Sequence, residues 1–298
     1  MARTPLPTRE PQAPASEPHF EEEAAPGRLI VIKPSPRWPH LDLREFWHYR
    51  ELFAMLVWRD IKVRYKQTSI GVAWAIVQPL MLMIVFSLIF GKFAQFGSEG
   101  LPYQVFTYSG LLPWTYFAAA LALSSASIVS NVNLVTKVYF PRVFLPFAAS
   151  AVPAIDFLLA FVVLVGLMVW YGVGVGFTIV LLPAFLALAF VTALGVGLFL
   201  SAVNVRYRDV PYAIPFLVQL WMWLSPVAYS IRELPERWEW VFSLNPMTGV
   251  INGFRWSIVG TPAPSAGQLA LSFAAALLFF VVGLAYFRRS EPRFADTI

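Results

Sequence analysis

A dense basic cluster stands directly before an apolar run that is long enough to cross a bilayer. The cluster contains Arg59, Lys62, Arg64 and Lys66, and the apolar run of about 20 residues extends to Phe90. Because Lys and Arg beside a membrane span stay on the cytoplasmic side, this junction sets the orientation in which the chain enters the membrane. The sequence therefore predicts a membrane protein with a basic collar on its cytoplasmic face.

The remaining apolar residues fall in long blocks, which predicts an all-α membrane protein with six transmembrane helices. Hydrophobic residues make up 58% of the chain and charged residues 13%, well away from the average of soluble proteins. Each block is long enough to cross a bilayer as a helix. The predicted spans cover residues 70–90, 105–129, 146–170, 178–202, 211–229 and 268–287.

The connections between these spans carry very unequal numbers of Lys and Arg. Those on the side of the N-terminus hold sixteen such residues, and those on the opposite side hold four. The positive-inside bias therefore predicts an N-in/C-in topology, with both termini in the cytoplasm. Residues 70–290 then form the transmembrane domain, and residues 291–298 form a cytoplasmic tail.

The segment before the first span divides into two parts. Residues 1–27 are rich in Pro, Ala and Glu and hold few large apolar side chains, which predicts a disordered tail. Residues 28–69 are predicted to form a cytoplasmic interface segment that contains an amphipathic helix over residues 43–66. Trp47 and Trp58 lie on the apolar side of this helix. That pattern suits a helix in the plane of the membrane interface, and it also fits a helix that packs on a soluble partner.

The connection between the fifth and sixth predicted spans is irregular. Residues 230–267 begin with a polar stretch and continue in a half-apolar segment from Asn245 to Val259, which is too short and too polar to span. Non-helical backbone at membrane depth must be covered by protein. We therefore predict two short re-entrant or interfacial helices over residues 236–260, at the outer mouth of the protein.

Composition and motif content exclude several classes of site. The chain has no cysteine, and His19, His40 and His48 all precede the first span, so a histidine-based metal site or proton relay within the membrane is excluded. The chain lacks the G-x-x-x-x-G-K-[ST] phosphate loop and any recognisable catalytic constellation. Its net charge of +5 is concentrated at the membrane edge, which suits anionic lipid better than nucleic acid. We expect no catalytic residue, no metal and no cofactor in this chain.

Aromatic residues are abundant, at 16% of the chain, and some of them cluster. Trp221, Trp223 and Tyr229 surround an interruption at Ser225-Pro226 in the fifth predicted span. Aromatic faces suit the C–H surfaces of sugars, and each ring could equally face lipid or a neighbouring helix. The candidate residues of a glycan path are Trp74, Phe86, Phe90, Tyr108, Trp114, Tyr116, Gln219, Trp221, Trp223 and Tyr229.

The cytoplasmic connection over residues 130–145 is polar at its start and then carries an apolar ridge with two cations. The ridge residues are Lys137, Tyr139, Phe140 and Arg142. Such a short helix can insert into a groove of a soluble partner, with Tyr139 and Phe140 as anchors. The alternative is an ordinary turn between helices that lies on the membrane.

Asp156 lies about a third of the way into the third predicted span. A charged residue at this depth is costly, so it has a cationic partner by default. No Lys or Arg lies inside a span, which makes a cation at the cytoplasmic edge, such as Arg142, or a second subunit the expected partner. A structural role in helix assembly and a role in transport both fit this position.

Several short motifs occur in a fixed order along the chain. They are Arg59-Asp60 to Arg64-Tyr65-Lys66-Gln67-Thr68 with Gly71, Trp74 and Gln78-Pro79; Val138-Tyr139-Phe140-Pro141-Arg142 with Pro146 and Asp156; Asn204 to Arg206-Tyr207-Arg208-Asp209; Pro215-Phe216, Gln219 and Ser225-Pro226-Val227-Ala228-Tyr229; Asn245-Pro246; and Phe254-Arg255. Over residues 40–290 this order resembles the permease subunits of ABC-2 type polysaccharide exporters. These are the Wzm-type proteins that move lipid-linked O-antigen, and their teichoic-acid relatives.

The resemblance implies a homodimer of six-span subunits in the bacterial inner membrane, with two ABC ATPase subunits below it that bind ATP and Mg²⁺. It implies that the helices over residues 43–66 and 130–145 contact the ATPase, and that residues 236–260 gate the outer mouth. The cargo implied is a long glycan on undecaprenyl diphosphate.

The basic residues offer a physical account of that cargo. Guanidinium groups suit bidentate contacts to phosphate, and the cytoplasmic cations lie where a diphosphate head would enter. These cations could instead hold only topology and lipid headgroups. The candidate residues are Arg59, Lys62, Arg64, Lys66, Arg206 and Arg208.

The sequence therefore leaves three candidate functions. The first is export of a lipid-linked polysaccharide of the O-antigen kind. The second is an ABC-2 permease for a capsular or teichoic-type polymer or for a small hydrophobic compound, which would share the spans and the coupling helix. The third, a membrane-embedded enzyme such as an acyltransferase, is disfavoured because the spans hold no histidine and no pair of acids.

Overall fold

Helices form the protein, and a computed structural model describes residues 47, 49–66, 71–207, 209–233 and 235–297, among which there is no strand. All of them belong to one compact unit, Arg37–Ile298. The predicted tail over residues 1–27, the beginning of the predicted interface helix and Arg208 lie outside the described residues.

Twelve α-helices follow one another along the described chain. They are α1 (Arg50–Lys66), α2 (Gly71–Phe86), α3 (Tyr103–Ser130), α4 (Val132–Lys137), α5 (Phe144–Ala151), α6 (Ala154–Tyr171), α7 (Leu182–Arg206), α8 (Val210–Trp223), α9 (Glu236–Ser243), α10 (Pro246–Val259), α11 (Ala266–Ser290) and α12 (Phe294–Thr297). A π-helical stretch, Ser87–Phe93, continues α2, and a short 3₁₀ helix, Phe177–Leu181, precedes α7.

Five stretches of helix are long and apolar enough to cross a membrane. They cover Ala73–Phe93, Tyr103–Ser130, Phe144–Tyr171, Phe177–Arg206 and Ala266–Arg293. These stretches coincide with five of the six predicted spans. The chain is therefore a multi-pass helical protein of the kind that its apolar blocks indicate.

The predicted fifth span differs from the observed helix. The prediction covers residues 211–229, whereas α8 has 14 residues and ends at Trp223. At 1.5 Å per residue this helix is about 21 Å long, short of the roughly 30 Å of a hydrocarbon core. Proline lacks an amide hydrogen and disfavours helical backbone in the residue before it, so Ser225 and Pro226 end the helix.

The centre of the bundle is the packing of α7 against α3 and α11. Gly195 of α7 and Gly283 of α11 meet so closely that a Cβ on Gly283 would overlap the Gly195 carbonyl oxygen. Small residues let helix backbones approach in this way within membranes. The Asn204 side chain, also buried on α7, donates to the Ser125 carbonyl oxygen of α3 at 3.1 Å.

Helix α1 lies against the bundle through one face. The rings of Tyr49, just before α1, and of Phe53 pack on Phe144 of α5, with ring centroids 6.1 and 6.2 Å apart, and Leu56 is buried in the same apolar cluster. Trp47 and Trp58 are exposed. These two rings of the predicted apolar side therefore face away from the chain's own core, whereas Val57 of the same side packs against it.

Two short helices follow α8, as the sequence predicts for this connection. Asn245 caps α10, because its side-chain oxygen accepts a hydrogen bond from the Met247 amide at 3.0 Å, and Pro246 occupies the first turn. The predicted helical region over residues 236–260 is thus divided between α9 and α10.

Candidate functional site

A groove with a volume of about 390 Å³ runs between α2, α3, α6 and α8. We call it the aromatic groove. Six of the ten residues predicted to form a glycan path line it, together with Arg64 and Asp156. The six are Trp74, Phe86, Trp114, Tyr116, Gln219 and Trp223.

A second cavity, of about 420 Å³, continues the aromatic groove toward the end of α8. The two share Phe86, Met222 and Trp223, and the second adds Phe90 and Tyr229. The rings of Phe86 and Phe90 lie 5.9 and 6.2 Å from that of Trp223, so the aromatic surface is continuous across the junction. Eight of the ten candidate path residues thus lie along one connected surface.

Tyr108 and Trp221 lie elsewhere. Tyr108 is fully buried, and its hydroxyl donates to the Ala160 carbonyl oxygen at 3.2 Å. The Trp221 indole donates to the Asn245 side-chain oxygen at 2.9 Å and packs edge-on against Phe117. Both side chains therefore hold helices together in this chain and line neither cavity.

A charged pair forms part of the lining of the aromatic groove. Arg64, in the last turn of α1, places a guanidinium nitrogen 2.6 Å from the Asp156 carboxylate. The Tyr65 hydroxyl donates to the other carboxylate oxygen of Asp156. Asp156 lies in the first turn of α6, where the helix dipole favours a negative charge.

The pair corrects one expectation from the sequence. The expected partner of Asp156 is a cation at the cytoplasmic edge, such as Arg142, or a second subunit, whereas the cation that pairs with it in this chain is Arg64. Arg142 donates instead to the Glu291 carbonyl oxygen at 2.7 Å. A break at Val152 and Pro153 divides the predicted third span and starts α6 afresh, which puts Asp156 within reach of α1.

Tyr65 remains a hydrogen-bond donor in this arrangement. Burial and the hydrogen bond to the Asp156 carboxylate raise the pKa of Tyr65 to about 12. Its hydroxyl therefore stays protonated at neutral pH. It donates a hydrogen bond to one carboxylate oxygen of Asp156, while Arg64 pairs with the other.

The other predicted phosphate-binding cations are spread over two elements. Arg59 pairs with Asp60 at 2.7 Å and donates to the Asn131 side-chain oxygen at 2.8 Å. Lys62 and Lys66 are exposed and line a surface groove of about 430 Å³ with Arg59. Arg206 is exposed at the end of α7, and Arg208 is outside the described residues.

The predicted coupling residues over 130–145 separate into two groups. Tyr139 has 71% of its surface exposed and Lys137 is also exposed. Phe140 is buried, with 6% exposed, in the chain's own core, and Arg142 is tied to Glu291 near the C-terminus. Only the first group stands free on the surface of this chain as a contact for another protein.

The sequence analysis assigns no role to Arg255, yet its side chain forms hydrogen bonds with the backbone that follows α8. It is a fully buried cation on α10 that donates to the carbonyl oxygens of Phe106, Pro226 and Val227. The signal that could have found it is a single cation within the half-apolar run that follows Asn245.

Among the described residues, no group of three or more His, Cys, Asp or Glu side chains is placed to hold a metal ion. The site is a groove of aromatic rings with an ion pair. Such a groove offers stacking faces, hydrogen-bonding groups and charge to a ligand.

Three known proteins resemble this chain over most of its length. The O-antigen export system permease protein RfbA of Myxococcus xanthus is 26% identical over 258 residues, which cover 86% of this chain and 98% of that protein. RfbA of Klebsiella pneumoniae is 25% identical over 83% of this chain and 95% of its own length. The polysialic acid transport protein KpsM of Escherichia coli is 23% identical over 78% of this chain and 91% of its own length.

A sequence model of a whole family also matches the chain. That family is the ABC-2 type transporter family, and its model covers residues 51–259. The matched range holds α1 to α10, and with them the aromatic groove and the Arg64–Asp156 pair. Because the match covers well over half of the 298 residues, the protein belongs to the ABC-2 type transporter family.

Proposed function

We propose that this chain is the channel-forming permease subunit of an ABC exporter that moves a polysaccharide across the bacterial inner membrane. The family is one of membrane permeases, and the apolar helices make the chain a multi-pass membrane protein. The relatives named above are export proteins for O-antigen and polysialic acid. The aromatic groove is the observation on this chain that carries the proposal.

The assembly that we propose is a homodimer with two separate ABC ATPase subunits. This chain lacks a phosphate loop, so ATP and Mg²⁺ would bind to the partner subunits. The proposed topology has six crossings with both termini in the cytoplasm, α1 as an interface helix, and α9 and α10 as re-entrant helices at the outer mouth. The excess of Lys and Arg on one side supports that orientation.

The proposed cargo is a glycan on a lipid diphosphate such as undecaprenyl diphosphate. Aromatic rings along the groove offer stacking surfaces for successive sugars, and Gln219 offers an amide to their hydroxyl groups. Arg64, which also lines the groove, is suited to a phosphate group. Rings that each contribute about 1 kcal/mol guide a moving chain and still release it.

A second candidate is a permease for a polymer of the polysialic acid kind. The specific support is KpsM, which this chain covers over nearly its whole length. The stacking surface suits either polymer, so the two candidates share the groove and differ in the sugar that passes through it.

The test replaces one ring of the groove and one ring outside it. Trp223→Leu keeps an apolar side chain but removes a stacking face, so polymer export should fall by about fivefold for a loss of roughly 1 kcal/mol. Trp170→Leu is the matched control, because Trp170 is 83% exposed on α6 and lines neither cavity. Surface polymer is measured at equal protein abundance. Equal export by both variants would contradict the glycan path.

A further inference from the structure

The Arg64–Asp156 pair differs from a purely structural ion pair in where it lies. Both side chains line the aromatic groove, and they keep 38% and 18% of their surface exposed. A ligand in the groove can therefore reach the guanidinium group without unfolding any helix. Since the pair lines the groove and is not sealed in the core, a competing anion can exchange with the carboxylate.

The two halves of α1 are held to the bundle by different forces. Through Val57 the packing is apolar: Tyr49, just before the helix, and Phe53 pack on Phe144, and Leu56 is buried in the same cluster. In the second half, polar contacts tie α1 to other helices: Arg59 to Asn131, and Arg64 and Tyr65 to Asp156. Apolar packing is insensitive to an arriving anion, whereas ionic contacts can exchange with it. The second half of α1 is thus the part that a charged ligand can release.

We propose that Asp156 is a resident counter-ion of Arg64, which the diphosphate head of the cargo displaces, so that loading frees the second half of α1 from α6. This inference rests on the proposed function and adds a way in which the permease senses its cargo. Phosphate and carboxylate make the same forked contact with a guanidinium group, and a diphosphate carries more charge than one carboxylate.

Asp156 remains stabilised by its position after the exchange. It lies in the first turn of α6, where the helix dipole favours a negative charge, and its side chain keeps 18% of its surface exposed. The displaced carboxylate is therefore not left as an uncompensated buried charge. A neutral lipid cannot make the exchange, so the pair also selects cargo by its charge.

The test measures binding of farnesyl diphosphate to the complex of this chain with its ATPase subunits, in nanodiscs of neutral phosphatidylcholine. Asp156→Asn removes the competitor for Arg64, and the affinity should rise by about tenfold, whereas Arg64→Gln should lower it by a similar factor. A merely structural Asp156 would leave the affinity unchanged or reduced in Asp156→Asn, and that result would overturn the inference. Glu51→Gln makes the same charge change at an exposed position of α1 and should have no effect.

A second measurement needs no variant. On addition of farnesyl diphosphate to the unmodified complex, amide hydrogens of residues 57–66 should exchange faster, because the second half of α1 is released. Unchanged or slower exchange there would refute the release. Nanodiscs of phosphatidylglycerol without farnesyl diphosphate should give no acceleration, and an equal acceleration would mean that ordinary anionic lipid operates the pair, against the inference.

The outcomes separate this inference from the proposed function. If the unmodified complex binds farnesyl diphosphate and Asp156→Asn binds it no more tightly, the counter-ion role fails and the lipid-diphosphate cargo stands. If the unmodified complex binds no farnesyl diphosphate, the proposed carrier fails, and the inference fails with it.

Discussion

Arg255 shows at the scale of one residue how a charge can be used to support irregular backbone within a membrane protein. It is the largest of the fully buried side chains in the described part of the chain, and its guanidinium carbon lies 3.7 Å from the centre of the Phe106 ring. It donates to Pro226 and Val227, whose carbonyl oxygens have left the helix α8. Buried away from water, unpaired carbonyl groups would cost several kcal/mol.

Gly110 makes room for this arrangement, which leads to a prediction. A Cβ at position 110 would overlap the Arg255 guanidinium group and lie 2.8 Å from the Val227 carbonyl oxygen. In Gly110→Ala we expect Arg255 to lose hydrogen bonds and the free energy of unfolding to fall by about 3 kcal/mol. The measurement is thermal unfolding of the purified protein in detergent.

Gly166→Ala is the control for that substitution. Position 166 is also helical, on α6, and nothing lies within 4 Å of an added Cβ there. Its stability should match the parent or rise slightly, since Ala favours a helix over Gly. A Gly110→Ala protein as stable as Gly166→Ala would mean that Arg255 does not depend on this space.

At the scale of the element, α4 and the turn after it present one ring outward and keep the next inside. Tyr139 is exposed, whereas Phe140 packs in the core with Phe144 and other residues of the cluster. The sequence alone makes both rings anchors for a partner, because alternate exposure in a short irregular turn has no periodic signal. Only Tyr139 is available to another protein in this structure.

This difference separates two substitutions. Tyr139→Asp should leave the abundance and thermal stability of the chain unchanged and reduce co-purification of the ATPase subunit, because it alters only the exposed ring. Phe140→Asp should lower the stability itself by about 3 kcal/mol or more, since it buries an unpaired charge. Normal ATPase association in a stable Tyr139→Asp protein would remove this turn from the coupling surface.

The elements also show what the sequence could and could not reveal. Five spans were found correctly because length and apolar content decide them locally. In the predicted fifth span the interruption at Ser225-Pro226 is visible in the sequence, but the non-helical backbone after Trp223 is not, because Arg255 and Asn245 of later segments stabilise it. The partner of Asp156 was missed for the same reason, since only the tertiary structure brings α1 to the start of α6.

At the scale of the whole molecule, the question is whether the chain crosses the membrane five or six times. Helix α8 spans about 21 Å, and the residues from Leu224 to Ser230 continue beyond it in non-helical conformation. Arg255 donates to two carbonyl groups of this segment, and the Asn245 side chain donates to the Leu224 carbonyl oxygen at 3.0 Å. Such protein cover is the condition under which irregular backbone is tolerated at membrane depth. A short helix with a covered extension can therefore complete the sixth crossing.

We accordingly expect α9 to lie on the opposite side of the membrane from both termini. The chain has no cysteine, so single cysteines at Trp240 on α9 and at Thr297 near the C-terminus can be labelled without background, and both positions are exposed. In intact cells whose outer membrane has been permeabilised, an impermeant maleimide should label Trp240→Cys and not Thr297→Cys. After lysis both should react, which checks that each thiol is accessible. Labelling of Thr297→Cys but not of Trp240→Cys in intact cells would contradict the sixth crossing. In that case α8 would enter and leave the membrane on one side, which leaves α9 in the cytoplasm and the C-terminus outside.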